Sequence, residues 1–412
     1  MKNYDIIIAG GGMAGATAAI ALSKLKYNIA LVEPIQPELD TSPSFDQRAV
    51  ALSAASISIF NTLGIWEKIE KLAEPISHIH ISDQGHFGFT RLKAEDYGVE
   101  ALGQVIPLDE AGPILWKILS EIKNIDLICP AKISEIDSAE NQSQTNKITV
   151  TLNEESKEQK LTAKLMLAAD GTFSSIANLA GIETKRTSYD QHAVIANIAT
   201  ELPHNNRAFE RFTKNGPLAL LPLTQNRMSL VWCQREKSLD RIMNYDDQQF
   251  IEELQKEFGF RLGQITKVGS RFQYPLSLHL PEKIYQGRTL LLGNAAHTLH
   301  PIAGQGFNIG LRDIAALYDS VQQAIKEEQD IGSKNFLQGF QEKTQGDKEL
   351  TVNATDFLAR IFTSEFLPVV VARNKGLCLL NKIPFVKKQL ANAAMGFHGN
   401  SAQLTRGIGL ES

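Results

Sequence analysis

The stretch "YDIIIAGGGMAGATAAIALSKLKYNIALVE", Tyr4 to Glu33, decides the fold. Tyr4 to Ala9 is a short apolar run that reads as a buried strand. Gly10 to Gly15 form a turn. Ala16 to Lys26 is alanine-rich and helical, and Asn28 to Glu33 is a second strand. Strand, turn, helix and strand make a βαβ unit, the seed of an α/β fold.

Gly10, Gly12 and Gly15 satisfy GxGxxG. The motif follows a strand and opens a helix, the context in which it binds a dinucleotide. Gly10 permits the tight turn, Gly12 lets the backbone approach a pyrophosphate, and Gly15 lets helix and strand pack closely. Met13 and Ala14 complete the loop. The helix start offers unpaired N–H groups and a partial positive charge to phosphate. Glu33 ends the second strand, where a carboxylate accepts hydrogen bonds from a ribose diol. An acid there favours NAD or FAD over NADP; the loop alone does not choose between the two.

Bulk properties bound the rest. A chain of 412 residues calls for two domains or one elaborated domain. Hydrophobic residues at 43% and charged residues at 21% fit an ordinary globular protein. A net charge of -4 gives no global attraction to nucleic acid, and no nucleic-acid partner is expected. Cys129, Cys233 and Cys378 are scattered without CxxC spacing, which argues against a disulfide framework or a thiolate metal site. His78-x-His80 and His297-x-x-His300 have no carboxylate companions at convincing spacing, so no metal is expected. Asp5 and the glycine cluster interrupt the N-terminal apolar run, unlike a signal peptide. No apolar run is long enough to span a bilayer. The expectation is a cytoplasmic chain, with peripheral contact to the inner face of the membrane left open.

Further along, "AASISIFNTLGIW" is a helix that stops near Gly64. "KITVTL" and "KLTAKLMLAAD" read as strands of one hairpin that leads into Asp170-Gly171. "HAVIANIAT", "RAFERF", "PLALLPL" and "MSLVWC" are closely spaced strands of an antiparallel sheet, which "ISHIHISDQGHFGFTRL" can join. Phe250, Leu254 and Phe258 mark a helix ending at Gly259, and Ile314, Leu317, Val321 and Ile325 a second apolar stripe. The tail from Asp347 reads as helical. The predicted fold is a segmented Rossmann-like dinucleotide-binding domain, with an inserted β-rich substrate domain and a helical C-terminal tail. The boundaries are 1–75, 105–180 and 286–345 for the first, 76–104 and 181–285 for the insert, and 346–412 for the tail.

An NAD dehydrogenase needs no remote second motif, whereas the long FAD molecule must be gripped at both ends. Here "FDQRAVAL" carries Arg48, "LMLAADGTFSS" carries Asp170-Gly171, and "LLLGNAAHTLHPIAGQGFNIGLRD" supplies a late glycine turn. With these in order, the chain resembles the class A flavoprotein aromatic hydroxylases of the para-hydroxybenzoate hydroxylase type, over almost its whole length. "FDQRAVALS", "RAFERFTKNGPLALLPL" and "GNAAHTLHPIAGQGFNIGLRD" are most similar to the ubiquinone-biosynthesis branch, among its hydroxylases of polyprenylated methoxyphenols.

The resemblance implies that Gly10, Gly12, Met13, Ala14, Gly15, Glu33, Arg48, Gln104 and Asp170 bind FAD. It adds Gly293, Asn294, Pro301, Gly304, Gly306, Phe307 and Asn308 from the late motif. It names no catalytic side chain. Asn294 stands where the wider family has aspartate, and Ala177 where the Asp-Gly motif usually ends in arginine. The implied reaction is monooxygenation. NAD(P)H, a transient donor, reduces the flavin; O2 adds at flavin C4a; one oxygen atom passes to an electron-rich phenol. "GPLALLPL" is a candidate pocket wall, and Asp170 a candidate turn cap. The tail's Arg373, Lys375, Lys382, Lys387 and Lys388, among apolar residues, suit either a membrane surface or a helix packed on the body. Other ubiquinone-biosynthesis proteins are expected partners. Two rivals stand beside this reading: another aromatic hydroxylase of that pathway, and a non-catalytic prenyl-binding protein of related fold.

Overall fold

The structure is a computed structural model, and it describes residues 1–36, 48–138, 146–154, 157–364, 366–380, 383–397 and 402–407. Its centre is a six-stranded sheet. The strand order is Tyr285–Gln286, Thr289–Leu291, Leu165–Ala168, Ile6–Ala9, Ile29–Val32 and Ile125–Ile128. All neighbours are parallel except the edge pair Tyr285–Gln286 and Thr289–Leu291. Ile6, Ile7 and Ile8 are all fully buried. A strand covered on both faces must be apolar at every position, which is why this run does not alternate. Helix Met13–Ser23 packs against helices Leu108–Glu121 and Gln305–Lys326.

The expected hairpin forms, with Ile148 opposite Ala163 and Glu154 opposite Lys157. The sequence reading of "KLTAKLMLAAD" as one strand is corrected. Lys157–Ala163 stays in a four-stranded sheet, and the chain then crosses to the central sheet as Leu165–Ala168. Lys164 sits at that crossing and pairs with Asp5 at 2.9 Å.

The β-rich part is an eight-stranded sheet. His78–Asp83 joins it in parallel with Arg207–Thr213, and Phe89–Lys93 extends it. Thr184–Thr200 runs through the 17-residue strand of which "HAVIANIAT" is only the second half. It bulges between Ser188 and Gln191, where Asp190 takes φ 52°. Phe272–Pro281 pairs along it, a strand the sequence reading did not identify. One sheet face is dry: Leu218, Leu220, Leu230 and Trp232 pack with Phe250, Leu254 and Phe258 of helix Asp247–Phe258.

A three-stranded sheet, Ala49–Ser53, Gly103–Pro107 and Glu74–Ile76, completes the β-structure. Helix Ala54–Leu63 ends at Gly64, whose φ of 74° is the left-handed cap conformation glycine adopts without strain. The tail forms helices Lys334–Thr363, Leu367–Leu380 and Pro384–Met395. The stripe on Gln305–Lys326 buries Ile314, Leu317 and Val321, but Ile325 in the last turn is 45% exposed. No described helix is long and apolar enough to cross a membrane.

Candidate active site

Thr289–Leu291, Leu165–Ala168 and Ile6–Ala9 lie side by side and run the same way, so their C-terminal ends share one sheet edge. That edge presents Gly293, Asp170 and Gly10. Ligands of open α/β sheets bind outside the carboxyl ends of the strands.

The opening turn is held by close backbone approach. A Cβ on Gly10 would stand 2.6 Å from the Ala169 carbonyl oxygen, and one on Gly15 would stand 1.9 Å from that of Gly10. Gly11 is also fixed. Its added Cβ would meet Trp116 at 2.4 Å, and the Trp116 indole N–H donates to the Gly11 carbonyl at 2.9 Å. Only Gly12 opens onto space, with nothing within 4 Å of a Cβ built there. Met13 and Ala14 pack against the core behind the loop. The Glu33 carboxylate accepts the Gly11 N–H at 2.6 Å and the Ile35 N–H at 3.0 Å, so it is anchored beside the loop. Trp116 is a residue that sequence reasoning missed; it comes from helix Leu108–Glu121, and no local motif marks it.

Asp170 caps the helix that follows it. Its carboxylate accepts from the Ser174 hydroxyl at 2.5 Å, the Ser175 hydroxyl at 3.2 Å and the Ile176 N–H at 3.2 Å. Ala177, at the position where arginine is usual, is buried.

The late turn is held mainly by side chains. The Asn308 carbonyl oxygen accepts from the Ser53 N–H at 2.8 Å and the Ser56 hydroxyl at 2.7 Å. Its amide donates to the carbonyls of Ala51 and Gly304 at 2.9 and 2.8 Å. Asn308 thus staples helix Gln305–Lys326 to Ala49–Ser53, and Ser53 and Ser56 are further positioning residues absent from the sequence reading. Gly304 caps that helix at φ 60°, and a Cβ on Gly306 meets nothing within 4 Å. Gly293 lies against the first turn, its added Cβ 3.1 Å from Ala14. Asn294 is exposed, and its carbonyl accepts from the Thr298 hydroxyl at 3.0 Å. Phe307 packs on the main core.

His297 and His300 are buried below this turn. Burial, then Lys348 and Arg312, push His297 down to about 3. Burial pushes Asp313, 3.6 Å away, up to about 6. Burial likewise pushes His300 down to about 4, and its Nε2 bonds Gln191 at 3.0 Å. Both histidines are neutral near pH 7.

Beyond the turns opens a cavity of about 470 Å³. Its lining includes Arg48, Gly103, Pro301, Gly304 and Asn308 together with the apolar Ile81, Ala193, Ile195, Ala219, Leu221 and Leu276. The strand "GPLALLPL" splits by its period of two: Ala219 and Leu221 face the cavity, while Leu218 and Leu220 face the dry core. Arg48 is exposed and lies 5.3 Å above the Tyr274 ring. Gln104 stands in the middle strand of the small sheet, opposite Leu52 and Pro75, one residue from the cavity wall at Gly103.

The tail closes the cavity with Leu358, Phe362, Leu377, Leu390 and Ala394. Phe362 stacks on Phe212 at 3.5 Å between ring centroids. Two of the tail cations accord with the packed-helix alternative. Arg373 is buried and pairs with Asp83 at 2.8 Å, and it also donates to the carbonyls of Ile361, Phe362 and Ser364. Lys387 pairs with Asp96 at 2.9 Å. Lys382 lies outside the described residues. Burying a guanidinium is costly unless it is paired, and this pairing locks helix Leu367–Leu380 onto the eight-stranded sheet.

The arrangement fits a dinucleotide gripped at two places. Gly12 and Gly306 have open space at the Cβ position, and each sits at the start of a helix. Residues 3–335 match the family described as FAD binding domain. The chain is 30% identical to ubiquinone hydroxylase UbiL of Rhodospirillum rubrum, over 96% of this chain and 90% of that one. It is 27% identical to 3-demethoxyubiquinol 3-hydroxylase of Escherichia coli, over 95% and 98%. The fold matches p-nitrophenol 4-monooxygenase PnpA from Pseudomonas putida with a TM-score of 0.76 at 17% identity, over 98% of this chain and all of that one. With this edge, this pair of turns and these relatives, the chain belongs to the FAD-binding domain family and is an FAD-dependent hydroxylase.

Proposed function

We propose that the chain hydroxylates a polyprenylated methoxyphenol in ubiquinone biosynthesis, with NAD(P)H as electron donor and O2 as oxygen source. One observation carries the reading: a cavity bordered by the late glycine turn at Pro301, Gly304 and Asn308 is otherwise walled mainly by apolar side chains. An aromatic head placed at the turns leaves its hydrocarbon tail against Leu221, Leu276 and Leu377, which a prenylated phenol needs and a small polar phenol does not. The relatives named as ubiquinone hydroxylases support the pathway.

When bound, FAD supplies the oxygen chemistry; the protein binds, orients and excludes water. In this reading Gly12 and the first helix start hold the pyrophosphate with Arg48, Glu33 holds the ribose, and Gln104 the ribityl chain. The start of helix Gln305–Lys326 supplies N–H groups and a favourable field for the negative charge of reduced flavin. Asp170 and Asn308 act by positioning these turns. The division into FAD-binding segments, β-rich insert and tail belongs to the same reading.

We place the enzyme in the cytoplasm, peripheral to the membrane that holds its substrate. Phe366, Leu367 and Phe385 are 68 to 71% exposed, and Lys375 and Lys388 are exposed beside them. Flotation with anionic liposomes tests this, and protein left in the bottom fraction rejects it. The activity test is FAD-loaded protein with NAD(P)H, air and a polyprenyl methoxyphenol. The expected result is substrate-stimulated NAD(P)H oxidation, with one oxygen added to the ring by mass spectrometry. Oxidation without a hydroxylated product rejects the substrate assignment. Product from a different prenylated ring assigns another step of the same pathway.

A further inference from the structure

The eight-stranded sheet carries a second cavity, of about 430 Å³. Ile81 of strand His78–Asp83 lines the apolar cavity described above. His78 and His80, one position out of phase, line this second one. The strand register builds it in rows. Lys93, His78 and Arg207 stand side by side across three strands, and Arg91, His80 and Phe209 form the next row. Arg261 joins them from the segment after helix Asp247–Phe258.

Four cations therefore line this cavity and no carboxylate does. Lys93 pairs with Glu95 at 2.7 Å. Arg207 and Arg261 form no ion pair among the described residues; they donate instead to the carbonyls of His204 at 3.0 Å and Phe258 at 3.1 Å. The clustering is not a by-product of a basic chain, since the net charge is -4. Like charges gathered at one site destabilise a fold by mutual repulsion. Burial and then Arg91 hold the Arg261 guanidinium below its ordinary range, and burial followed by Arg261, Arg91, Arg211 and Arg207 pushes His80 down to about 4. His80 Nδ1 accepts from Arg91 Nε at 3.3 Å, and its Nε2 is buried without a hydrogen-bond partner.

We propose that this cavity binds a small phosphate-bearing anion, of pyrophosphate or mononucleotide size, on the sheet face away from the apolar pocket. Guanidinium forks meet phosphate oxygens in pairs, with a strength a lysine surface lacks. The volume falls within the range of small-ligand sites. The four cations of this cavity are absent from the lining of the apolar cavity, although Ile79 and Phe209 border both.

The test uses FAD-loaded protein, wild type and the Arg207→Gln/Arg261→Gln double variant, at constant ionic strength. Removing two repelling charges leaves the ligand-free variant folded, with a melting temperature at or above wild type. Pyrophosphate or AMP raises the wild-type melting temperature beyond a potassium chloride control. Calorimetry gives an affinity that falls at least about tenfold in the variant. Co-sedimentation with phosphatidylglycerol vesicles, lost in the variant, identifies a lipid headgroup as the source; phosphate binding without vesicle binding identifies a free ligand. The proposal is overturned if none of these probes binds wild type, or if the variant binds them equally well. It is also overturned if only an acidic peptide such as polyglutamate binds, since that makes the surface a protein-docking site.

Discussion

The two glycine turns end strands of one sheet, yet they are held in opposite ways. The opening turn is fixed by contact. Gly10, Gly11 and Gly15 are each pressed against backbone or an aromatic ring, with no room for a methyl group. The late turn is fixed mainly by polar staples, above all the four hydrogen bonds of Asn308. Contact leaves no adjustment, so the first turn is rigid whether or not ligand is bound. Hydrogen bonds can be retuned residue by residue, so the late turn can vary in charge without losing its path. That difference explains how an asparagine at Asn294 is compatible with the FAD fold.

The largest effect should come from breaking contact. Gly15→Ala sets a methyl 1.9 Å from a backbone oxygen that no side-chain rotation can move. It should cost at least about 3 kcal/mol and abolish recovery of yellow soluble protein. A stable, flavin-loaded Gly15→Ala protein breaks the contact half of the comparison.

Asn308→Ala should be milder. It strands the Ser53 N–H and Ser56 hydroxyl in a buried setting, at about 2–3 kcal/mol. Chemical denaturation reads the loss. FAD affinity should fall with it, because the late helix start is no longer tied to Ala49–Ser53.

The histidines below the late turn predict a pH effect. His297 and His300 titrate near 3 and 4 in the folded chain, against an ordinary value of 6.5. Their folded values are lowered, so the stability they contribute is present above pH 6.5 and lost as pH falls. Asp313, raised to about 6, works the other way between pH 6 and 4. Unfolding in that window takes up two protons and releases one. Stability should therefore fall by roughly 1 kcal/mol per pH unit on acidification. His300→Gln should flatten that slope; a slope unchanged in the variant removes His300 from the account.

The smallest effect tests the tuning directly. Asn294→Asp adds a negative charge at an exposed position of the late turn and should make flavin reduction harder without unfolding the protein. An unchanged or higher flavin potential contradicts it.

Much of this was legible in the sequence because the relevant signals are local. The βαβ unit, the Gly64 and Gly259 stops and the apolar strand in "GPLALLPL" all lie within one or two elements. What was hidden depends on partners far along the chain. Trp116 reaches Gly11 across 105 positions, and Asn308 reaches Ser53 across 255. Strand Phe272–Pro281 carries prolines at 275 and 281 and four exposed residues at its start, so its pattern reads as loop. The tail cations stayed open between two readings because a sequence does not show that Asp83, 290 positions away, pairs with Arg373.

The central claim is that both turns grip one FAD, and the open glycines test it most directly. Neither Gly12, at φ -67°, nor Gly306 holds a positive φ, and neither has a neighbour within 4 Å of an added Cβ. Alanine at either position should fold as well as the natural residue. The measurement is bound flavin per folded protein, by visible absorption after gel filtration, for Gly12→Ala and Gly306→Ala. The account predicts two folded, colourless proteins with unchanged circular dichroism. Full flavin occupancy in either variant contradicts it at that turn.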